Sequence, residues 1–246
     1  MRSRFRAWKR RNPRRSRRIA YTVAAWGLLC LVGDLLAARP PSELPALDPT
    51  QAEAALLAGG MNGALDYVAV HTWIVVHAVG EERWDRWEIT GGAWHVEAED
   101  LVRNNAFASP TEWPFGEGPT QVLRVWRGAD AERLTAAVRE RRYAHSTQYF
   151  AWPGPNSNTY VDRMLRRAGL SCELPSTAVG KDYRGWVGGS QSSTLSGVQL
   201  ESPLLGVKFG LREGLELHVA AATFGVDPWP PALKVPYGDG RFGFSD

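Results

Sequence analysis

The sequence predicts an α+β protein: an antiparallel-rich sheet with two main helices, preceded by one N-terminal transmembrane helix. Three observations carry that prediction. Residues 67–77 form a nearly unbroken β-branched and aromatic run, as in a strand buried on both faces. Two later runs, opening at Asp130 and near Ser157, repeat apolar residues at helical spacing. A 20-residue apolar stretch, Ile19–Ala38, follows a tail in which ten of the first 18 residues are Lys or Arg.

The net charge of +3 averages two unlike parts. The tail takes ten of the 29 basic residues and none of the 26 acidic ones, leaving 19 against 26, or −7, beyond Arg18. A basic nucleic-acid-binding domain is excluded by that balance, and no nucleic acid partner is expected. Ile19–Ala38 matches a bilayer core of about 30 Å at helical rise. Cations on one flank only place residues 1–18 in the cytoplasm and everything after Ala38 in the periplasm, with the inner membrane as the partner of residues 19–38. A cleaved signal peptide ending at Leu36-Ala37-Ala38 is the other reading, and Ser16-Arg17-Arg18 is a poor twin-arginine match; the length of the apolar core favours an uncleaved anchor.

Residues 39–49, rich in proline, read as a stiff linker, and residues 50–246 as one extracytoplasmic globular domain. Gln51–Leu57 reads as a short helix. After the strand of residues 67–77, Gly80-Glu81-Glu82 makes a turn and Arg83–Thr90, with Trp84, Trp87 and Ile89, is its hairpin partner. Ala93–Glu97 adds a third strand. Residues 103–119, with three prolines and two glycines, are loop, and Val122–Trp126 is a further strand. Asp130 opens a helix to about Tyr143. Residues 180–197 are irregular with one short strand, and Val207–Leu211 and Leu215–Ala221 form a hairpin around Arg212-Glu213-Gly214. Asp227-Pro228-Trp229-Pro230-Pro231 is too proline-rich for regular structure.

The centre of the chain is Trp152-Pro153-Gly154-Pro155-Asn156-Ser157-Asn158-Thr159-Tyr160-Val161. Its small polar residues suit a helix N-terminus, and Thr159 with Asp162 reads as a weak capping box. Val161, Met164, Leu165 and Ala168 then fall on one face, and Gly169 ends the helix. A hydroxyl at a positive helix end also presents a nucleophile or meets an anion in many folds, although most such junctions are only caps.

Ala69-Val70-His71-Thr72-Trp73-Ile74-Val75-Val76, Pro153-Gly154-Pro155-Asn156-Ser157-Asn158-Thr159, and the stretch from Gly206-Val207 through Thr223-Phe224-Gly225-Val226-Asp227-Pro228-Trp229-Pro230-Pro231-Ala232-Leu233-Lys234 together resemble the bacterial domain-of-unknown-function family 3750. The resemblance implies a membrane-anchored protein of the bacterial cell envelope and little about chemistry. A remoter similarity is to circularly permuted papain-like proteins of the NlpC and lecithin:retinol acyltransferase types, where a histidine on an early strand precedes a helix that begins with Asn-Cys. It implies a permuted papain-like fold, with His71 on the strand and Asn156-Ser157 at the helix, serine standing in place of the cysteine.

The candidate catalytic residues are therefore Ser157 as nucleophile, His71 as base and Glu88, on the face of Trp84 and Arg86, as the group that orients the imidazole. Set against this, a serine hydroxyl is far too weakly acidic to be ionised by a helix end. A lone histidine in an apolar strand is more often a core residue. Asn156, Asn158, Thr159 and Trp152 are the candidate ligand-binding residues, with Trp186 as a further cleft residue. His218, alternating with Leu217 and Val219, is read as facing solvent, and Arg163, Arg166 and Arg167 as a solvated helix face. Cys30 and Cys172 build no disulfide framework, and without Cys-x-x-Cys or His-Glu-x-x-His no metal site or cofactor is expected. Two functions stay open. One is a tethered, degenerate papain-like domain that binds a peptide, glycan or lipid ligand, such as a cell-wall or lipid component; the other is an active hydrolase or acyltransferase.

Overall fold

The computed structural model describes residues 13–38, 40–91, 94–116 and 118–244. Helix α1, Pro13–Leu36, contains a 23-residue segment, Arg14–Leu36, long and apolar enough to cross a membrane. The basic tail before Pro13 lies outside the described residues, as does Ala93.

Five strands form the first sheet, in the order β5-β3-β2-β1-β6: Val102–Asn104, Asp85–Ile89, His71–His77, Glu53–Gly59 and Gln121–Arg127. All its pairings are antiparallel. β1 corrects the expected helix over Gln51–Leu57. Its sequence, Glu53-Ala54-Ala55-Leu56-Leu57-Ala58-Gly59, has good helix formers and no β-branched residue, yet it lies between β2 and β6 with every residue buried. Pairing on both edges overrides local propensity here. β5 likewise enters the segment read as loop.

Helices α2, Ala129–Arg139, and α3, Ser157–Arg167, cover one face of this sheet. α2 stops before the expected Tyr143. Ala54, Leu56, Ile74, Val76, Trp87 and Ile89 meet Leu134, Val138, Tyr160, Val161, Met164 and Leu165 there. Strand alternation sends Ala55, Leu57, Trp73, Val75 and Trp84 to the other face, which is covered by Leu44 and Leu47 of the linker and by Trp113. His95–Glu97 (β4) does not join the sheet; it pairs with Gln148–Phe150 (β7) as a separate ribbon.

The second sheet is an antiparallel meander of seven strands, β8 to β14: Gly188–Gln191, Gly197–Glu201, Leu205–Gly210, Gly214–Val219, Ala222–Asp227, Ala232–Lys234 and Arg241–Gly243. The β10–β11 hairpin turns at Gly214, whose φ of 66° suits the left-handed region glycine favours. α1 packs on β14 and β13 at the sheet's edge.

The polarity of this second sheet is the reverse of the expected one. His218 is buried and Leu217 and Val219 are exposed. Gln199, Glu201, Lys208, Glu216, His218, Asp227 and Lys234 all point inward, where Gly206 and Gly225 leave room for the long Glu201, Glu216 and Lys234 side chains. Buried charges of this kind persist only when paired. Lys208 Nζ lies 2.8 Å from Asp182 and 2.9 Å from Glu216; Lys234 Nζ lies 2.7 Å from Glu173 and Glu216 and 2.9 Å from Asp227. Arg166 also belongs to this layer rather than to a solvated face. Its guanidinium meets Asp162 at 2.9 Å, and also the carbonyls of Gln191 and Ser192 and the amide of Gln199.

Candidate functional site

The junction at the head of α3 is built from the residues singled out in the sequence, in a different arrangement. Asn156 is the N-cap. Its Oδ1 accepts from the Thr159 amide at 3.1 Å, and Thr159 Oγ1 accepts from the Asn156 amide at 3.1 Å, so the capping box is Asn156–Thr159 and not Thr159–Asp162. Asp162 instead pairs with Arg166 and Arg184. Asn156 Nδ2 donates to Ala151 and Val179 carbonyls, and Thr159 Oγ1 donates to Gly180 at 2.6 Å. Gly180 has φ 87°, and a Cβ there would run into the Asn156 amide group.

Asn158 fastens this helix end to β2. Its Oδ1 accepts from the Thr72 amide at 3.0 Å and from the Thr72 hydroxyl at 2.8 Å, while Nδ2 donates to Val70 and Val179 carbonyls at 2.9 Å. The strand holding His71 and the N-terminus of α3 are thus neighbours. The polar atoms of Asn156, Asn158 and Thr159 are spent within the fold. Trp152 is half-exposed and donates its indole N–H to the Ala220 carbonyl at 2.9 Å. Trp186 is exposed.

The three candidate catalytic residues divide. Thr72 turns its side chain to α3, so alternation turns His71 to the opposite face, with Trp73. Among the described residues, the Ser157 hydroxyl makes no hydrogen bond to His71 or to any other group. His71 and Glu88 do meet: Nε2 donates to Glu88 Oε2 at 2.8 Å, and both side chains are buried. Arg86 completes the group, with Nη2 3.0 Å from Glu88 Oε2 and Nε 2.5 Å from Oε1. Burial drives the His71 pKa down further than the Glu88 hydrogen bond raises it, so the imidazole is neutral near pH 7. Burial pushes the Glu88 pKa up, but hydrogen bonds from His71 and Arg86 outweigh it and hold the carboxylate below its usual range. Neutral His71 with its proton on Nε2 leaves Nδ1 as a hydrogen-bond acceptor.

His71 forms part of the wall of a cleft of about 600 Å³. Leu65, Ile89, Trp94, Phe107, Trp113, Phe115 and Tyr149 supply most of the lining, and no charged side chain is among the described residues around it. Trp113 stacks on the imidazole, with ring centroids 4.0 Å apart and planes within 3°. Arg86 fixes the loop that carries these aromatics. Its guanidinium lies over Trp73 at 4.2 Å and Phe107 at 4.6 Å, and it donates to the Glu112 carbonyl. Tyr67, next to the cleft rim at Leu65, stacks on Tyr237 at 5.8 Å, in the loop between β13 and β14 where α1 packs.

Sequence reasoning missed Arg86, Phe107, Trp113 and Phe115. The available signal was Arg86 and Glu88 two apart in the strand that carries Trp87 and Ile89, which puts an ion pair on one face of a sheet. A second cluster, Asp182, Glu216 and His218, brings three potential metal-ligand atoms within 4.8 Å of one another. It does not fit a metal. The ammonium groups of Lys181 and Lys208 already sit on these carboxylates, and both nitrogens of His218 face carboxylates, Nδ1 at 2.6 Å from Glu201 and Nε2 at 3.0 Å from Glu216.

A family model described as a protein of unknown function, DUF3750, matches residues 52–183, more than half of the chain. The match takes in the His71 strand, the aromatic cleft and the Pro153–Thr159 junction; the segment from Gly206 to Lys234, which shares in the sequence resemblance, lies outside it. No curated protein and no solved structure matches.

Proposed function

We propose, for a chain that belongs to the DUF3750 family, that it is a membrane-anchored protein which binds a ligand with an apolar body and one hydrogen-bond-donating head group in the cleft beside His71. The single observation that carries this reading is the cleft itself. Its size falls in the range of small-molecule sites, its lining is mostly aromatic and aliphatic, and a neutral, oriented imidazole stands among its few polar groups, with Asn62 and Thr90. Of the peptide, glycan and lipid ligands open from the sequence, a lipid or other acyl compound suits an uncharged aromatic lining best. The nearness of the cleft rim to the hairpin under α1 supports the same choice. α1 is the anchor, with the cleft on the periplasmic side of the inner membrane.

The test is saturable binding of a fluorescent fatty alcohol, whose hydroxyl can donate to His71 Nδ1, to the full chain in detergent. Phe107→Ala and Phe115→Ala should weaken it at least several-fold, and His71→Ala should weaken the alcohol more than its methyl ether, which has no proton to donate. Binding that does not saturate, or that ignores all three changes, removes the proposal. The hydrolase or acyltransferase reading, on a permuted papain-like scaffold, draws support from the tether between α3 and β2 but requires Ser157 to reach His71 from the opposite face of the sheet. Covalent labelling of Ser157 by an acyl-transfer probe, lost in His71→Ala, is the result that would restore it.

A further inference from the structure

The outward face of the second sheet has no counterpart in that proposal. One cross-strand row runs Gln191, Val198, Phe209, Leu215, Val226, Leu233, Phe242, and the next runs Gly189, Leu200, Val207, Leu217, Phe224. Leu205, Val219 and Ala222 begin a third. Gln191, on the strand farthest from α1, is the only polar side chain among these outward positions, and none is charged. Phe209 is 58% exposed and Leu217 52% exposed, whereas their inward neighbours Lys208 and Glu216 are fully buried. At about 4.8 Å between strands and 3.3 Å per residue the patch is on the order of 500 Å², the size of the largest apolar patch on a typical monomer, which often marks an interaction site.

We propose that this face rests on the lipid bilayer that α1 enters, so that a helix and a sheet together hold the chain to the membrane. The inference depends on α1 being a membrane anchor. Continuity with α1 identifies the occupant. α1 packs on β13 and β14 through buried Cys30 and through Gly33, which lies so close to Phe244 that a Cβ would collide. A bilayer spanned by α1 therefore begins at the edge of the apolar rows, and the rows lose their apolar character only at β8, the strand most distant from it. Trp186, before β8, and Trp229, in the β12–β13 turn, stand 84% and 77% exposed at the perimeter. Exposed indoles are the side chains that settle at a membrane–water interface. Apolar residues outward and charged residues inward along alternating strands is the pattern that sheets adopt against lipid. The face lies on the membrane and does not cross it, since the sheet is open and its β8 edge would leave unpaired backbone groups in hydrocarbon.

Spin labels on single cysteines, with Cys30 and Cys172 replaced by alanine, test this in the full chain reconstituted into phosphatidylethanolamine–phosphatidylglycerol vesicles. Labels go at Leu217 and Phe224 on the face, at Leu28 on the exposed side of α1, and at Glu132 on the surface of α2. The readout is collision with oxygen, which concentrates in lipid, against a water-soluble nickel chelate. The expected result is an oxygen-to-nickel ratio at Leu217 and Phe224 that matches Leu28 and exceeds Glu132 several-fold. A lipid value at Leu28 with a water value at both face positions overturns the inference and leaves the anchor standing. Low access to both reagents, with dipolar broadening between labels, means that a second copy covers the face and also overturns it. A water value at Leu28 removes the anchor and this inference together. The two face positions guard against one label disturbing the fold, and an unchanged thermal transition of each variant in detergent checks it.

Discussion

The two sheets solve the same problem with opposite polarity. In the five-stranded sheet both faces are apolar and both are covered, one by α2 and α3 and the other by the linker and the aromatic loop. Its buried polar side chains are few: Glu53 and His77 sit at strand ends, Thr72 meets Asn158, and His71, Arg86 and Glu88 form one group beside the cleft. The seven-stranded sheet turns a continuous layer of Lys, Glu, Asp and His inward and leaves its apolar side chains outside. Alternation at period two specifies only that the two faces differ; which face is inside depends on what each one meets. A charged layer is tolerable inside because its members neutralise one another in pairs, as Lys208, Lys234, Glu216 and Asp182 do.

The sharpest way to break this comparison uses two adjacent residues of β11. Glu216→Ala leaves Lys208, Lys234 and His218 without a shared carboxylate, and removing one member of a buried ion pair costs about 3–5 kcal/mol. Leu217→Ser, its outward neighbour, should stay within about 0.5 kcal/mol in detergent solution, as exposed substitutions do. Chemical denaturation measures both. If the leucine change costs more than the glutamate change, the polarity assigned to this sheet is wrong.

The next effect concerns how α3 is fixed to the first sheet. Asn158→Ala orphans the Thr72 amide and the Val70 carbonyl in the interior, and a single buried donor left unpaired costs about 1–3 kcal/mol. Asn156→Ala removes only a cap, which is worth about 1 kcal/mol. Thermal unfolding should rank the two in that order. The reverse order would mean that capping, and not the tether to β2, positions the helix.

A smaller contrast is read as a slope with pH. Folding lowers the His71 pKa from the ordinary value of 6.5 through burial, so the unfolded chain binds more protons just below pH 6.5. Stability from His71 is thus present above pH 6.5 and lost as pH falls toward the folded pKa. His218 runs the other way. Burial opposes its charge, but Asp182, Glu201 and Glu216 raise its pKa, so its contribution is complete below pH 6.5 and is lost as pH rises through the folded value. His71→Gln should therefore flatten the acid side of the stability profile near pH 6, and His218→Gln the side above pH 6.5. Slopes that change in the same direction in both variants would show that one of the two imidazoles has been assigned the wrong charge.

These contrasts also mark how far the sequence carries. β2, β3, β6, α1, α2, α3 and the β10–β11 hairpin were legible because their periodicity and their turn and capping residues agree with one another. β1 was not, because its alanines and leucines carry no strand signal and its conformation comes from two neighbours distant in sequence. The Glu88–His71 pair was legible from the faces of adjacent strands. The separation of His71 from Ser157 is also written in the alternation, once it is known that Thr72 is the residue that meets α3. The aromatic cleft was hidden in a proline-rich loop, where no periodicity tells which aromatics converge. The inward charges of the second sheet were hidden for another reason. The usual expectation that His218 faces water and Leu217 the core is physically sound for an isolated sheet, and fails here because the inward side offers His218 carboxylate partners in Glu201, Glu216 and Asp182.

The smallest expected effect falls on the residue that the sequence made most prominent. Ser157 occupies the first turn of α3, but the cap is Asn156, and no hydrogen bond to the Ser157 hydroxyl exists among the described residues. Alanine is the best helix former and loses nothing there, so Ser157→Ala should change stability by less than about 0.5 kcal/mol. It should also leave fatty-alcohol binding in the cleft unchanged, while His71→Ala, on the far side of β2, weakens it. The same position tests the helix end as an electrostatic environment. Ser157→Cys places a thiol at the positive end of α3 without an imidazole beside it, so any fall in its pKa comes from the helix alone and alkylation should be only modestly faster than for a free thiol. Rapid alkylation that slows in His71→Ala would mean that the imidazole does reach around the strand. In that event the two faces of the first sheet are not separate at this point, and the binding and catalytic readings merge into one site.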